Sequence, residues 1–326
     1  MSSATSADHH QVLIAGGGTA GLTLAARLRR AGVTDIAVLE PSGRHFYQPL
    51  WTLVGGGRAA QRDTVRPQAQ VMPKGVTWIR DAAAGADPGA QTVTTESGRV
   101  LHYGYLVLAS GIQLDFGRLP GLAETLGQRG VSSNYRYDLA PRTWEFIRDL
   151  RSGTALFTMP PGPVKCAGAP QKIAYLAADW WRSQGVLDRI RVILVLPTAV
   201  MFSQPDWARV LTGIAAGYGI EVRTESEVTE VDGDGKRAVI ADHKAGTKED
   251  IPYDVMHVTR RRAPRTGSRR RRWPTRRAPS ATRRPTSTPC GIRRGRTCSR
   301  SATPRTCRHP RPAPPSASRR PWWPPT

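Results

Sequence analysis

The last 67 residues of this 326-residue chain contain no Asp, no Glu and no Lys. All 25 acidic residues and 27 of the 48 basic ones fall in residues 1–259, and the other 21 basic residues are Arg in 260–326. The net charge of +23 thus averages a near-neutral polymer and a strongly cationic one. The cationic stretch also holds 13 of the 27 prolines and almost no Val, Ile or Leu. It cannot bury enough apolar surface to offset chain entropy, and it reads as a disordered Arg/Pro-rich tail spanning 259–326. Cysteine is scarce: of four, Cys290, Cys298 and Cys307 lie in the tail and only Cys166 before it. One thiol makes no disulfide framework, which suits a reducing compartment. The tail cysteines, with His309, lack the paired spacing of a zinc site, so no metal is expected. The start, MSSATSADHH, has no apolar core and no Arg, and reads as neither a secretory signal nor a transit peptide. No run approaches the roughly 18 apolar residues of a spanning helix. Together these absences predict a cytoplasmic protein, at most peripheral to a membrane.

The first 259 residues carry regular apolar runs. In HQVLIAGGGTAGLTLAARLRRAGVTDIAVLE, a strand at Val12–Ala15 leads into Gly16, Gly18 and Gly21 in the order GxGxxG. Leu22, Ala25, Ala26 and Leu28 then form one helix face, which ends at Gly32 before a second strand, Ile36–Leu39. In such a unit the first glycine makes the tight turn and the second lets backbone approach a pyrophosphate. The third allows close helix packing, while the helix N-terminus attracts phosphate. Glu40, at the end of the second strand, stands where an acid binds ribose hydroxyls. The unit predicts an ADP-containing cofactor, and both FAD and NAD share it. LHYGYLVLASG, Leu101–Gly111, reads as a strand ending in a small-residue turn. It resembles the Ala-Thr-Gly return past the cofactor in flavoproteins with two dinucleotide domains, with Ser110 replacing the Thr.

A second βαβ outline follows: a strand at Thr154–Met159, a helix at Pro170–Arg182 and a strand at Ile190–Leu196. Its first turn, PPGPVKCAGAP, has no GxGxxG and so offers no phosphate cradle for a nicotinamide nucleotide. It offers a thiol instead. Lys165 and the following helix N-terminus favour the thiolate of Cys166, the form that acts as a nucleophile. Gly219–His243 reads as β-rich, with a hairpin at Asp232–Gly235, and Pro197–Gly219 as a helix whose aromatics belong to the core.

Four stretches, RHFYQPLWTLVGGG (Arg44–Gly57), YGYLVLASGIQLDF (Tyr103–Phe116), FTMPPGPVKCAGAPQKIAYL (Phe157–Leu176) and YDVMHVT (Tyr253–Thr259), resemble the sulfide:quinone oxidoreductase family, in its mitochondrial and bacterial type. The likeness runs from about Val12 to Thr259. It implies an α/β fold of two Rossmann-like domains, 1–117 binding FAD and 118–258 carrying the redox cysteine. It implies oxidation of sulfide, transfer of electrons to quinone, and delivery of sulfane sulfur to a small thiol or sulfite. Cys166 is then one of two redox cysteines, and Gly18, Thr19, Glu40, Gln48 and Ala83 are contacts of FAD, beside Gly16, Gly21 and Gly111. The family's second cysteine and its Gly-Asp flavin contact lie beyond Thr259, where this sequence does not show them. Little or no sulfide:quinone turnover is therefore expected of this chain.

Arg, Pro, Thr, Ser, Ala and Trp without Lys or acids is what GC-rich coding DNA yields in a wrong frame. Joining the last base of each codon to the first two of the next turns Trp322–Pro324 into Val-Ala without any free choice. Between Arg296 and Pro304 the rebuilt codons permit NVFSLGDA, a Gly-Asp strand end. A one-base shift near codon 259 or 260 accounts for the tail. Two other readings compete: an NAD(P)H-dependent flavin reductase, and a nucleic-acid-binding protein acting through the tail's arginines and Trp273, Trp322 and Trp323.

Overall fold

A computed structural model describes residues 8–162, 164, 166–260 and, as backbone, 262–263. Lys165 and residues 264–326 of the Arg/Pro-rich tail, with everything expected of them, lie outside the described residues. The expected disorder from 259 is corrected at its start, where Thr259 and Arg260 are buried and Arg262–Ala263 pair as a strand. The chain forms an α/β fold around two mainly parallel sheets. The first begins with β1 (His9–Ala15), α1 (Thr19–Arg30) and β2 (Ile36–Leu39). β3 (Arg44–Phe46), α2 (Trp51–Gly55), β4 (Val65–Pro67) and α3 (Gln68–Val71) follow, then β5 (Thr77–Ile79), β6 (Ala83–Asp87), β7 (Thr92–Thr95) and β8 (Val100–Leu108). The strand order is β5-β2-β1-β8-β7-β6. β5, β2, β1 and β8 run parallel, and β6, β7 and β8 form an antiparallel meander. β2 reads Ile-Ala-Val-Leu and is buried on both faces, as an interior parallel strand must be. α1 buries Gly21, Leu22 and Ala25 against this sheet and ends before Gly32, whose φ is +90°.

The second sheet follows β9 (Gln113–Leu114) and α4 (Leu122–Thr125). It contains β10 (Val131–Ser132), β11 (Gly153–Thr158), β12 (Ile190–Val195) and β13 (Glu221–Arg223). Its helices are α5 (Ala140–Asp149), α6 (Ala169–Ser183) and α7 (Pro205–Gly217). A separate antiparallel meander is made of β14 (Ser226–Asp232), β15 (Arg237–Asp242) and β16 (Thr247–Pro252). β17 (Val255–Val258) then returns to the parallel sheet, and β18 (Arg262–Ala263) pairs with β9. The order is β10-β17-β11-β12-β13, all parallel, so β17 lies between β10 and β11. α6 buries Ile173, Ala174, Ala177, Ala178 and Trp181, the one-face spacing of a helix on a sheet. Phe157 and Trp181 are fully buried in this core, worth about 1.5–3 kcal/mol each for an apolar side chain of this class. The Trp181 indole N–H donates to the Ile147 carbonyl at 2.8 Å, tying α6 to α5.

Most strand and helix positions match the sequence-based expectation to within a few residues, but the helix expected over Pro197–Gly219 begins only at Pro205. The Asp232–Gly235 hairpin joins β14 to β15 in the pairing Asp232↔Arg237. Of the aromatics of Pro197–Gly219, Tyr218 packs against the core as expected, while Trp207 needs correction. Trp207 on α7 is 63% exposed, and Val210 and Ile214 share its solvent-facing side. The helix turns Ala208 and Ala215 inward instead, because small side chains let it lie close to the sheet.

Candidate active site

In each parallel sheet the chain reverses its strand order at one place, and ligands of such folds bind beyond the C-terminal strand ends there. In the first sheet that place is the end of β1, flanked by β2 and β8. Gly16 leaves β1 with φ +115°, and a Cβ there would stand 2.4 Å from the Ala109 carbonyl oxygen, at the end of β8. A Cβ on Gly21 would stand 1.9 Å from the Gly16 carbonyl oxygen, so α1 can sit this close only with glycine. Gly18 is the N-cap of α1, without a side-chain cap and without an acid in the first turn. A Cβ on Gly18 would meet no atom within 4 Å. The space beside it is open, and Gly18 and Thr19 are exposed. The uncapped first turn presents N–H donors and a positive dipole end to that space.

Glu40 ends β2 and braces the loop from below. Its carboxylate accepts from the Gly17 N–H at 2.9 Å and from the Ser42 N–H at 2.8 Å. Each oxygen thus accepts one bond and keeps capacity for a ribose hydroxyl. The Trp78 indole donates to the Glu40 carbonyl at 2.8 Å, fixing the strand end. Gln68, 1% exposed, donates through Nε2 to the Gly17 carbonyl at 2.9 Å. Glu40 and Gln68 thereby hold both polar groups of Gly17. Nothing in the segment Pro67–Val71 marks Gln68 by motif or spacing.

Gly111, φ +70°, follows Ser110, whose backbone N lies 2.9 Å from where a Gly16 Cβ would be. Gly16, Gly18, Thr19, Gly21, Glu40 and Gly111 therefore gather at one strand end. Ala83 begins β6, four residues past Ile79, whose carbonyl accepts from the Glu40 N–H at 3.0 Å. Gln48 is exposed in the short turn Gln48–Leu50 ahead of α2. α2 carries the Gly55–Gly57 run onto the second lobe. A Cβ at Gly56 would come within 2.9 Å of Leu176 Cβ on α6, and one at Gly55 within 3.0 Å of Asn134 Cβ. The apolar-glycine stretch is thus a close contact between the lobe of the glycine loop and the helix that follows Cys166.

In the second sheet the strand order reverses at β11, flanked by β17 and β12. Cys166 sits in the β11–α6 turn at this point. It is exposed, the only cysteine among the described residues, and has φ +66°, a conformation non-glycine residues seldom adopt. Its carbonyl accepts from the Ala169 N–H at 3.2 Å and from the Tyr135 hydroxyl at 3.3 Å. Tyr135 follows β10 and is buried, and burial first, then the charge of Cys166, pushes its phenol far above the ordinary range. Beside it His257, in β17, is fully buried and stays neutral, held down to about 3 by desolvation. Asn134 faces His257 Nε2 with its backbone N at 3.2 Å and its side-chain Oδ1 at 2.7 Å, and the imidazole tautomer selects which of the two is the hydrogen bond. Tyr135, Asn134 and His257 escaped the sequence analysis because each reaches the cysteine turn or its neighbours only through distant strands.

The pyridine nucleotide-disulphide oxidoreductase family model matches residues 10–270. The chain belongs to that family, whose members are FAD-dependent flavoproteins. It is 40% identical over 258 residues to the mitochondrial sulfide:quinone oxidoreductase of Mus musculus, covering 78% of this chain and 57% of that protein. It is 39% identical over 251 residues to the mitochondrial sulfide:quinone oxidoreductase of Dictyostelium discoideum, covering 76% and 55%. The chain thus spans a little over half the length of these relatives. Its fold matches the crystal structure of the sulfide:quinone oxidoreductase from Aquifex aeolicus with a TM-score of 0.66 at 22% identity, covering 77% of this chain and 58% of that one. No helix among the described residues is long and apolar enough to cross a membrane.

Proposed function

We propose that the protein is built for sulfide oxidation coupled to quinone reduction, with Cys166 as the acceptor of the sulfide sulfur. The observation that carries this reading is the β11–α6 turn. It presents an exposed cysteine at the strand reversal where a nicotinamide-binding lobe needs a glycine cradle. The same turn disfavours the NAD(P)H-dependent reductase. Residues 1–117 form the flavin lobe in this reading and 118–258 the cysteine lobe. Gly16, Gly18, Thr19 and Gly21 would hold the diphosphate and Glu40 a ribose, with Gln48, Ala83 and Gly111 as further contacts. FAD, when bound, supplies the two-electron acceptor that sulfide oxidation requires, and quinone takes the pair onward.

The residues of this chain handle the sulfur. Hydrosulfide and the Cys166 thiol join through one new S–S bond, giving a Cys166 persulfide and releasing one proton and two electrons. A small thiol or sulfite then removes the sulfane sulfur. Substrate entry needs no opening of the fold, since Cys166 is exposed. Quinone solubility argues for work at a membrane surface from the cytoplasmic side.

Two measurements test the reading. Sulfide added to the FAD-supplemented chain is expected to bleach the flavin in a single turnover, and Cys166→Ser to prevent this. Inorganic polysulfide is expected to add one sulfur to Cys166 by thiol exchange, one S–S bond forming as another breaks. Bleaching by NADH but not by sulfide in a flavin-loaded chain overturns the proposal.

A further inference from the structure

Cys166 pays for its place. A left-handed backbone costs a non-glycine residue about 1–3 kcal/mol and persists only where its surroundings hold it. The described contacts that hold it converge on its carbonyl oxygen. One comes from within the turn, the Ala169 N–H at 3.2 Å, and the other from across the sheet, the Tyr135 hydroxyl at 3.3 Å. Tyr135 is 8% exposed, and its own backbone is fixed. Its N–H donates to Ser133 Oγ at 3.3 Å, and the preceding residue, Asn134, is bonded to His257 of β17. The phenol therefore projects from a bonded strand end toward a Pro/Gly turn and donates to its carbonyl.

We propose that Tyr135 is the positioning residue of the Cys166 turn, its hydroxyl fixing the cysteine backbone in the left-handed conformation and thereby the direction of the sulfur. The role rests on the reading of Cys166 as sulfur acceptor. Burial and the neighbouring cysteine keep the phenol protonated, so Tyr135 acts as a neutral donor and neither gives nor takes the reacting proton. A small anion such as hydrosulfide meets a sulfur whose approach is set before it arrives, which lowers the ordering left for the encounter.

The test is Tyr135→Phe in the full-length chain, which keeps the ring and removes the hydroxyl. Amide hydrogen exchange is followed by mass spectrometry in peptides covering the β11–α6 turn, with β12, β17 and α6 peptides as internal references. Losing one hydrogen bond is expected to accelerate exchange in the turn about fivefold and leave the references unchanged. No acceleration in the turn, or equal acceleration in every peptide, overturns the proposal, the second result marking a merely structural tyrosine. Sulfur loading of Cys166 by inorganic polysulfide is measured on the same samples. If wild-type Cys166 takes up no sulfur while the turn responds as expected, the acceptor assignment fails and the positioning contact stands. If wild type and variant load sulfur at the same rate and the turn does not respond, the positioning role alone fails.

Discussion

Gln68 and Gly17, 51 residues apart in the chain, meet through one buried hydrogen bond, Nε2 to carbonyl oxygen at 2.9 Å. Gly17 sits at the centre of the GxGxxG turn, and Glu40 takes its N–H on the other side. Gln68→Leu leaves the Gly17 carbonyl without this donor, at a cost of about 1–3 kcal/mol. The expected outcome is a lower melting temperature and weaker FAD binding. Gln68→Glu, which keeps the size but sets a carboxylate against the carbonyl, should be at least as harmful. Unchanged melting in both variants would show that the bond carries no weight.

Two glycines of the same turn should separate by experiment. Gly21→Ala forces a methyl to within 1.9 Å of the Gly16 carbonyl oxygen, and overpacking of this kind costs about 1–3 kcal/mol or more. It should destabilise the flavin-free chain. Gly18→Ala adds a methyl that meets no protein atom and strains no backbone, since φ is −72°. Its melting temperature without flavin should stay near that of the wild type, while FAD affinity falls. Equal effects of both variants on the flavin-free chain would argue that Gly18 has no ligand to face.

His257 makes the fold acid-sensitive. Its ordinary value near 6.5 falls to about 3 in the folded protein because burial penalises the imidazolium. Between these values the unfolded chain holds a proton that the folded chain does not, so stability drops as pH falls from about 6.5 toward 3. The slope is about 1.4 kcal/mol per pH unit. Urea denaturation at pH 7 and pH 5 should show a smaller difference in His257→Gln than in the wild type. A parallel shift of both proteins would remove His257 as the cause.

The coding DNA across codons 259 and 260 is expected to show a one-base slip. A chain translated after restoring the frame should copurify with yellow flavin and sustain quinone reduction by sulfide. The 326-residue chain should hold flavin weakly and turn over at a small fraction of that rate. An uninterrupted frame in the gene, with no slip there, would sink this account of the Arg-rich tail.

The first βαβ unit was legible because its signal is local: Gly16, Gly18 and Gly21 must follow one strand and open one helix. Glu40 was legible at a fixed distance from them, although its carboxylate proves to brace Gly17 and Ser42 as well. Cys166 stood out because proline and glycine around it exclude a core strand or helix. Gln68, Tyr135 and His257 were not legible, since each acts across 31 to 123 residues of intervening chain. Trp207 misled for another reason. α7 has apolar residues on two faces, and periodicity alone does not say that Ala208 and Ala215, rather than the indole, turn toward the sheet.

β17 is the last strand of the parallel sheet to be synthesised, yet it lies in its interior. A ribosome that has released only the first 250 residues therefore exposes two facing, unsatisfied backbone edges, β10 on one side and β11 on the other, each a template for mispairing. Four residues, Val-Met-His-Val, zip that gap shut. A lesion upstream of Val255 should leave an aggregation-prone product, whereas one just downstream of Val258 spares the seam and lets the cysteine lobe survive its own altered ending.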